Sequence, residues 1–364
     1  MNRPYRIAIG IAPMLLALAL APPAARAQVI EESFDDSDFA SRGWYDNPTF
    51  QRVPVERDGS SHAAEFVFDA GSDLPRSGTA HRIALPDTRS VLISYWVRYS
   101  DDWQGSGNTV HPHEFYLMTN LEGRYSPPAR SHLTVYVEQN DGMPLMILQD
   151  ALNIDITRLR EDIAAETEER SVAGCNGSSD QYDDGDCYGG GDRWANGKFF
   201  GSDVQAFSPT PGPYYRSDWQ HVRAYVHLNS IANGRANADG VLRYWVDDEL
   251  LIDVRDAVFR TSQHADMRFN QLLIGPYMSE SPVEQRFWID DLVIDPTDRP
   301  AGDLPEAAPS TDSPDAAPST VSPGAKSGCS AHGASAFASA PWGPLIAAAL
   351  LSRNARQACE SRAS

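Results

Sequence analysis

Residues 239–254, DGVLRYWVDDELLIDV, constrain the fold more than any other stretch of this chain. Two apolar-rich runs flank the polar centre Asp247-Asp248-Glu249, which is the signature of a strand, a tight turn and a returning strand. The theme recurs at 219–228 (WQHVRAYVHL), 272–275 (LLIG) and 286–294 (RFWIDDLVI). Further strand-like runs lie at 29–34, 63–68, 79–83, 91–99, 113–118, 132–139 and 145–148. Many of them alternate. Val222, Ala224, Val226 and Leu228 alternate with Arg223, Tyr225 and His227. Leu133, Val135 and Val137 alternate with His132, Thr134, Tyr136 and Glu138. Period-two patterning gives each strand one face for a core and one for water, so the chain reads as stacked antiparallel sheets. Residues 157–170 are the exception: Ile156, Leu159, Ile163 and Ala164 have helical spacing behind a cap at Thr157. Residues 153–208 therefore read as an insertion between strands.

The ends differ from this middle. Residues 1–27 carry Arg3 and Arg6, an apolar run at 7–21 and the exit Ala25-Arg26-Ala27, the pattern of a secretory signal peptide. The main domain spans 28–297. Residues 298–328 form a Pro/Ala/Ser/Thr spacer in which AAPST at 307–311 returns at 316–320. Residues 329–364 hold Cys329, an apolar run at 337–351 and then Arg353 and Arg356. This tail resembles the myxobacterial-type C-terminal sorting signals. The resemblance implies processing at Cys329 and tethering of the domain to the envelope through the membrane. The expected location is thus the cell surface, with the domain outside. Export also favours disulfides, and Cys175 and Cys187 in one Gly/Asp-rich loop are expected to pair.

The chain has 364 residues and a formal net charge of -20. Only Lys198 and Lys326 are lysines, so any cationic recognition falls to arginine. A nucleic-acid partner is excluded, because a phosphate backbone calls for a basic footprint. A monomer is expected.

Several motifs converge on one family. Glu32-Ser33-Phe34-Asp35-Asp36 precedes Gly43-Trp44. Asp218-Trp219-Gln220-His221-Val222 leads into a long strand. The 243–250 hairpin follows, and Trp288-Ile289-Asp290-Asp291-Leu292 closes the set. Across 28–296 they resemble the concanavalin A-like jelly rolls of bacteria, especially those related to secreted polysaccharide lyases. The resemblance implies two antiparallel sheets, one curved into a groove, and a polysaccharide partner. Asp248 departs from the glycine usual in such hairpins, and aspartate tolerates the left-handed conformation needed there.

The polar faces carry His, Tyr, Arg and Trp where an ordinary solvent face carries Lys, Glu and Thr. If the strands are neighbours, Trp96, Arg98, Glu114, Tyr116, His132, Tyr136, Glu138, Arg223, Tyr225 and His227 line one surface. Flat rings suit sugar faces, and guanidinium, imidazole and carboxylate groups suit hydroxyls and uronate carboxylates. β-Elimination on a uronate needs a group to neutralise the carboxylate, a base for the C5 proton and an acid for the leaving oxygen. Arg98 or Arg223 are assigned to the first task, His132 or His227 to the second, and Tyr116 or Tyr136 to the third. Trp96, Glu114, Glu138, Arg223, Tyr225 and His113 are assigned to substrate contact. Cross-strand packing and surface ion pairs are the alternative uses of the same residues.

His111-Pro112-His113-Glu114 lacks the i, i+4 spacing of helical zinc sites and has no third ligand in view, so it reads as a groove rim and no metal is assigned. The acidic loop at 180–192 reads as solvated, with calcium as the alternative. Glu114 and Glu138 are the pair a glycosidase would need, yet no Glu-x-Asp-x-x-Glu signature accompanies them. Whether the chain is an enzyme stays open. A lyase, a non-catalytic carbohydrate-binding or adhesion module, and a structural surface protein all fit the sequence.

Overall fold

The computed structural model describes residues 28–57, 59–107, 112–119, 133–149 and 198–299. The expected signal peptide, His111, His132, the expected helix at 157–170, the acidic loop, Cys175, Cys187, the expected sorting tail and Cys329 lie outside these residues.

Seventeen strands follow one another among the described residues. They are β1 (Ile30–Glu32), β2 (Trp44–Asp46), β3 (Arg52–Arg57), β4 (Ser60–Phe68), β5 (His81–Thr88), β6 (Ser90–Tyr99), β7 (His113–Thr119), β8 (Leu133–Asn140) and β9 (Met143–Gln149). After them come β10 (Lys198–Gly201), β11 (Gln220–His227), β12 (Ile231–Ala232), β13 (Arg235–Ala236), β14 (Gly240–Val246), β15 (Glu249–Ala257), β16 (Phe269–Tyr277) and β17 (Gln285–Asp295). Fifteen of them form two antiparallel sheets. The first runs β15-β14-β11-β6-β17-β4-β3, with β1 also on β17. The second runs β10-β9-β8-β7-β16-β5-β2. This is the sandwich of two antiparallel sheets that the alternation predicts, and the jelly roll that the resemblance implies.

The core lies between the two sheets. Ile93, Tyr95, Val97, Val222, Ala224, Val246, Phe287 and Ile289 from the first meet Ile83, Phe115, Leu117, Val135, Val137, Met146, Leu272 and Ile274 from the second. The hairpin at 239–254 forms as expected. Asp247 and Asp248 both take positive φ, 46° and 68°, the two-residue turn whose twist matches that of the flanking strands.

The opening motif has a structural purpose. Glu32 accepts hydrogen bonds from Phe34 N (3.1 Å), Arg42 Nε and Nη2 (2.9 Å each) and Trp44 Nε1 (3.0 Å). One buried carboxylate thereby ties the chain entry to β2. The insertion is shorter than 153–208 suggests. Lys198–Gly201 is the edge strand of the second sheet, paired with β9, and Phe207 belongs to the core. A four-residue run, KFFG, carries too little pattern to be read as a strand without its partner.

Candidate functional site

The outward face of the second sheet gathers a cluster of chemical side chains. Register places Tyr45, Arg82, Leu273, Tyr116, Tyr136, Ile147 and Phe199 in one row across all seven strands. Tyr45 and Phe199, at the two ends, are exposed, whereas Tyr116 and Tyr136 at the centre are 5% and 1% exposed. The central rings meet edge to face at 4.7 Å.

Local sequence explains how His113 joins them. Pro276 in β16 cannot donate a ladder hydrogen bond, and the pairing of β16 with β7 slips between Ile274 and Tyr277. Alternation breaks on β7 at the same place. Glu114 and Phe115 both meet core residues, Tyr99 and Tyr95, so His113 turns outward with Tyr116. The His113 ring stacks on Tyr136 at 4.3 Å and lies 6.3 Å from Tyr277. Gly275 gives Tyr116 its room, since a Cβ there would sit 3.0 Å from Tyr116 Cε2.

Glu138 completes the cluster. Its Oε2 and His113 Nδ1 share a hydrogen bond of 2.7 Å, with both side chains buried. Burial pushes the Glu138 carboxyl well above the usual carboxylate range. Glu114 lies behind it, between the sheets. Tyr99 donates to Glu114 Oε1 at 2.5 Å, and burial pushes this carboxyl up to about 8 against the pull of that bond, with Glu138 adding to the rise. Among the described residues Glu114 Oε2 and Glu138 Oε1 have no hydrogen-bond partner of ordinary geometry, although the Gln139 amide lies near enough to Glu114 to pull its carboxyl down somewhat. A proton on Glu114, and one held between Glu138 and His113, remove the cost of holding a bare charge out of water. Among the described residues no three acidic, histidine or cysteine side chains are grouped to hold a metal ion. Glu114 is therefore a core residue and not part of the outward face, and the glycosidase pairing of Glu114 with Glu138 has one member turned inward.

The expected single surface is two surfaces. Trp96, Arg98, Arg223, Tyr225 and His227 stand on the outward face of the first sheet, across the core from His113, Tyr116, Tyr136 and Glu138. Alternation assigns a side chain to a face of its own sheet but does not say which sheet its strand joins. On the first sheet these residues are engaged with one another. Arg98 lies over Trp288 (4.4 Å) and Trp219 (5.5 Å), and Arg223 over Trp245 (5.0 Å) while pairing with Asp248 at 3.0 Å. Trp96 stacks on His221, with Arg57 over its ring. Tyr225 OH donates to Arg299 O at 2.8 Å, and His227 Nδ1 lies 2.9 Å from the same oxygen. His227 and Tyr225 thus hold the chain as it leaves β17, a role that no strand pattern foretells.

Three residues of the second-sheet face escaped the sequence reading. Arg82 is buried there and pairs with Asp46 at 2.7 Å. Tyr45 OH donates to Gln271 Oε1 at 3.2 Å. Tyr277 lies two residues past the run 272–275. Alternation of Arg82 with His81 and Ile83 was a readable signal. Nothing local signals that Tyr277 reaches His113, because the β-bulge that turns it depends on pairing.

No family model matches the chain, and no curated protein matches it in sequence. Solved structures do overlap it. Alginate lyase vAL-1 from Chlorella virus is 10% identical at a TM-score of 0.43, covering 68% of this chain and 89% of that one. The marine PL-14 alginate lyase from Aplysia kurodai is 10% identical at 0.44, covering 74% and 99%. Alginate lyase Aly36B is 13% identical at 0.38, covering 74% and 97%. At these scores the overlaps assign no role to any side chain, and the architecture rests on the strand pairing given above.

Proposed function

We propose that this chain is an exported, surface-tethered protein that engages a uronate-containing polysaccharide and cleaves it by β-elimination at the outward face of the second sheet. One observation carries the reading: three adjacent strands converge His113, Glu138, Tyr116, Tyr136 and Tyr277 into one cluster. An imidazole held by a carboxyl through Nδ1 offers Nε2 for proton transfer. In this reading His113 Nε2 removes the C5 proton and the new C4–C5 double bond expels the C4 oxygen. Tyr277, whose hydroxyl burial holds above its ordinary value, or Tyr116 protonates that oxygen. Arg82 is the guanidinium of the row and faces the uronate carboxylate. His113 moves from substrate contact to base, and it replaces His132 and His227. Arg98 and Arg223 leave the scheme with their sheet. The Cys175–Cys187 disulfide, anchoring near Cys329 and a solvated acidic loop, with calcium there as the alternative, remain proposals made on sequence.

A second reading, a binding module without chemistry, draws support from the burial of Tyr116 and Tyr136, whose rings already pack on neighbours. One assay separates the two. The purified chain is incubated with a panel of uronic acid polysaccharides, and ultraviolet absorbance of unsaturated ends is followed. Elimination predicts a rise that His113→Ala abolishes, and that Tyr277→Phe or Tyr116→Phe abolishes at whichever hydroxyl supplies the proton. Binding without a rise establishes the module. Neither binding nor a rise leaves a structural surface protein.

A further inference from the structure

We propose that Glu138 is the positioning residue of this face: it fixes the His113 ring through Nδ1 and decides at which pH Nε2 can accept a proton. The inference deepens the elimination reading and rests on it for its catalytic consequence alone. Its physical content stands on the 2.7 Å contact between two side chains that are 1% and 0% exposed.

A buried carboxyl–imidazole pair has few affordable states. Carboxylate beside neutral imidazole leaves one uncompensated charge out of water. Adding one proton gives a pair with no net charge, either a carboxylic acid donating to Nδ1 or a carboxylate beside an imidazolium. Among the described residues, Tyr116 on β7, Tyr136 on β8 and Tyr277 on β16 pack on the His113 ring, Glu114 lies behind the pair and is itself held protonated up to about 8 by burial, and the Arg82 guanidinium stands in the same cross-strand row as Tyr116. The raised carboxyl of Glu138 agrees with that arrangement. The two groups titrate together, so the proton that must leave before Nε2 becomes a base belongs to the pair. Each partner thereby raises the pH at which that proton leaves. A lone buried histidine behaves in the opposite way. His81, without a carboxyl beside it, is pushed down to about 4 by burial.

The test uses the full chain and the Glu138→Gln variant. Nitrogen NMR of the His113 ring against pH reports the pair without any need for activity. In the wild type, the ring transition is expected above the ordinary histidine value of about 6.5. In Glu138→Gln it is expected to move toward acid by at least about one pH unit, as loss of a facing carboxylate requires. If elimination occurs, the acid limb of kcat/KM moves with it, and Glu138→Ala lowers kcat more than it changes KM. A merely structural Glu138 would lower the melting temperature and leave both midpoints in place, and that result overturns the proposal. Should Glu138→Gln not fold, a wild-type His113 transition below about pH 6.5 overturns it equally. His113→Ala that retains elimination sinks the assignment of the base while leaving the coupling to the NMR result.

Discussion

Arg98→Ala distinguishes the two outward faces most directly. Arg98 sits 4.4 Å over Trp288 and 5.5 Å over Trp219, half-buried on the first sheet. Each stacked contact at such a site contributes about 0.5–1 kcal/mol, so removal costs about 1–2 kcal/mol. Loss of the packed aliphatic stem pushes the cost toward the upper value. For a domain of this size that is a fall in melting temperature of about 2–8 °C. Arg98→Lys keeps the charge but loses the planar stack, and recovers only part of the loss. The measurement is guanidinium denaturation beside polysaccharide binding and elimination on the same samples. The expected outcome is lower stability with substrate handling unchanged. Loss of binding or elimination at unaltered stability would refute the reasoning and move the site to the first sheet.

Other outcomes follow from single groups. Glu32→Ala strands two buried donors, Phe34 N and Trp44 Nε1, and is expected to cost about 3–5 kcal/mol in urea denaturation. His81 stacks on Phe50 at 4.2 Å and stays neutral down to about 4, while the unfolded chain takes up that proton at 6.5. Stability therefore falls as pH drops from 6.5 to about 4, by about 3 kcal/mol in total, and His81→Asn flattens that slope. Glu114 has its folded value raised from 4.5 to about 8, so its contribution is present at low pH and lost as pH rises through 8. Glu114→Gln, which keeps an acceptor for Tyr99, does not titrate and is therefore expected to compare more favourably with the wild type above pH 8 than at pH 5, read as denaturation midpoints of both proteins at the two values.

Much of the molecule was written locally. The hairpin at Asp247-Asp248 needs only two residues that tolerate positive φ between apolar runs. The alternation of Ile93, Tyr95 and Val97 with Ser94, Trp96 and Arg98 already says which side chains leave the core, because the pleat has period two. What the sequence could not decide is which outward faces coincide. Trp96 and Tyr136 obey the same rule on their own strands, yet β6 and β8 belong to opposite layers. Membership of a layer is set by long-range pairing, and pairing leaves no mark within a strand. The same limit hid the exception at Glu114. One slip beside Pro276 turns Glu114 inward and His113 outward, and only the register of β16 against β7 reveals it. Local stereochemistry determined the strands and their greasy sides. The assembly of the sheets alone determined that His113, Glu138 and the tyrosines share a face while the arginine–tryptophan stacks lie across the core.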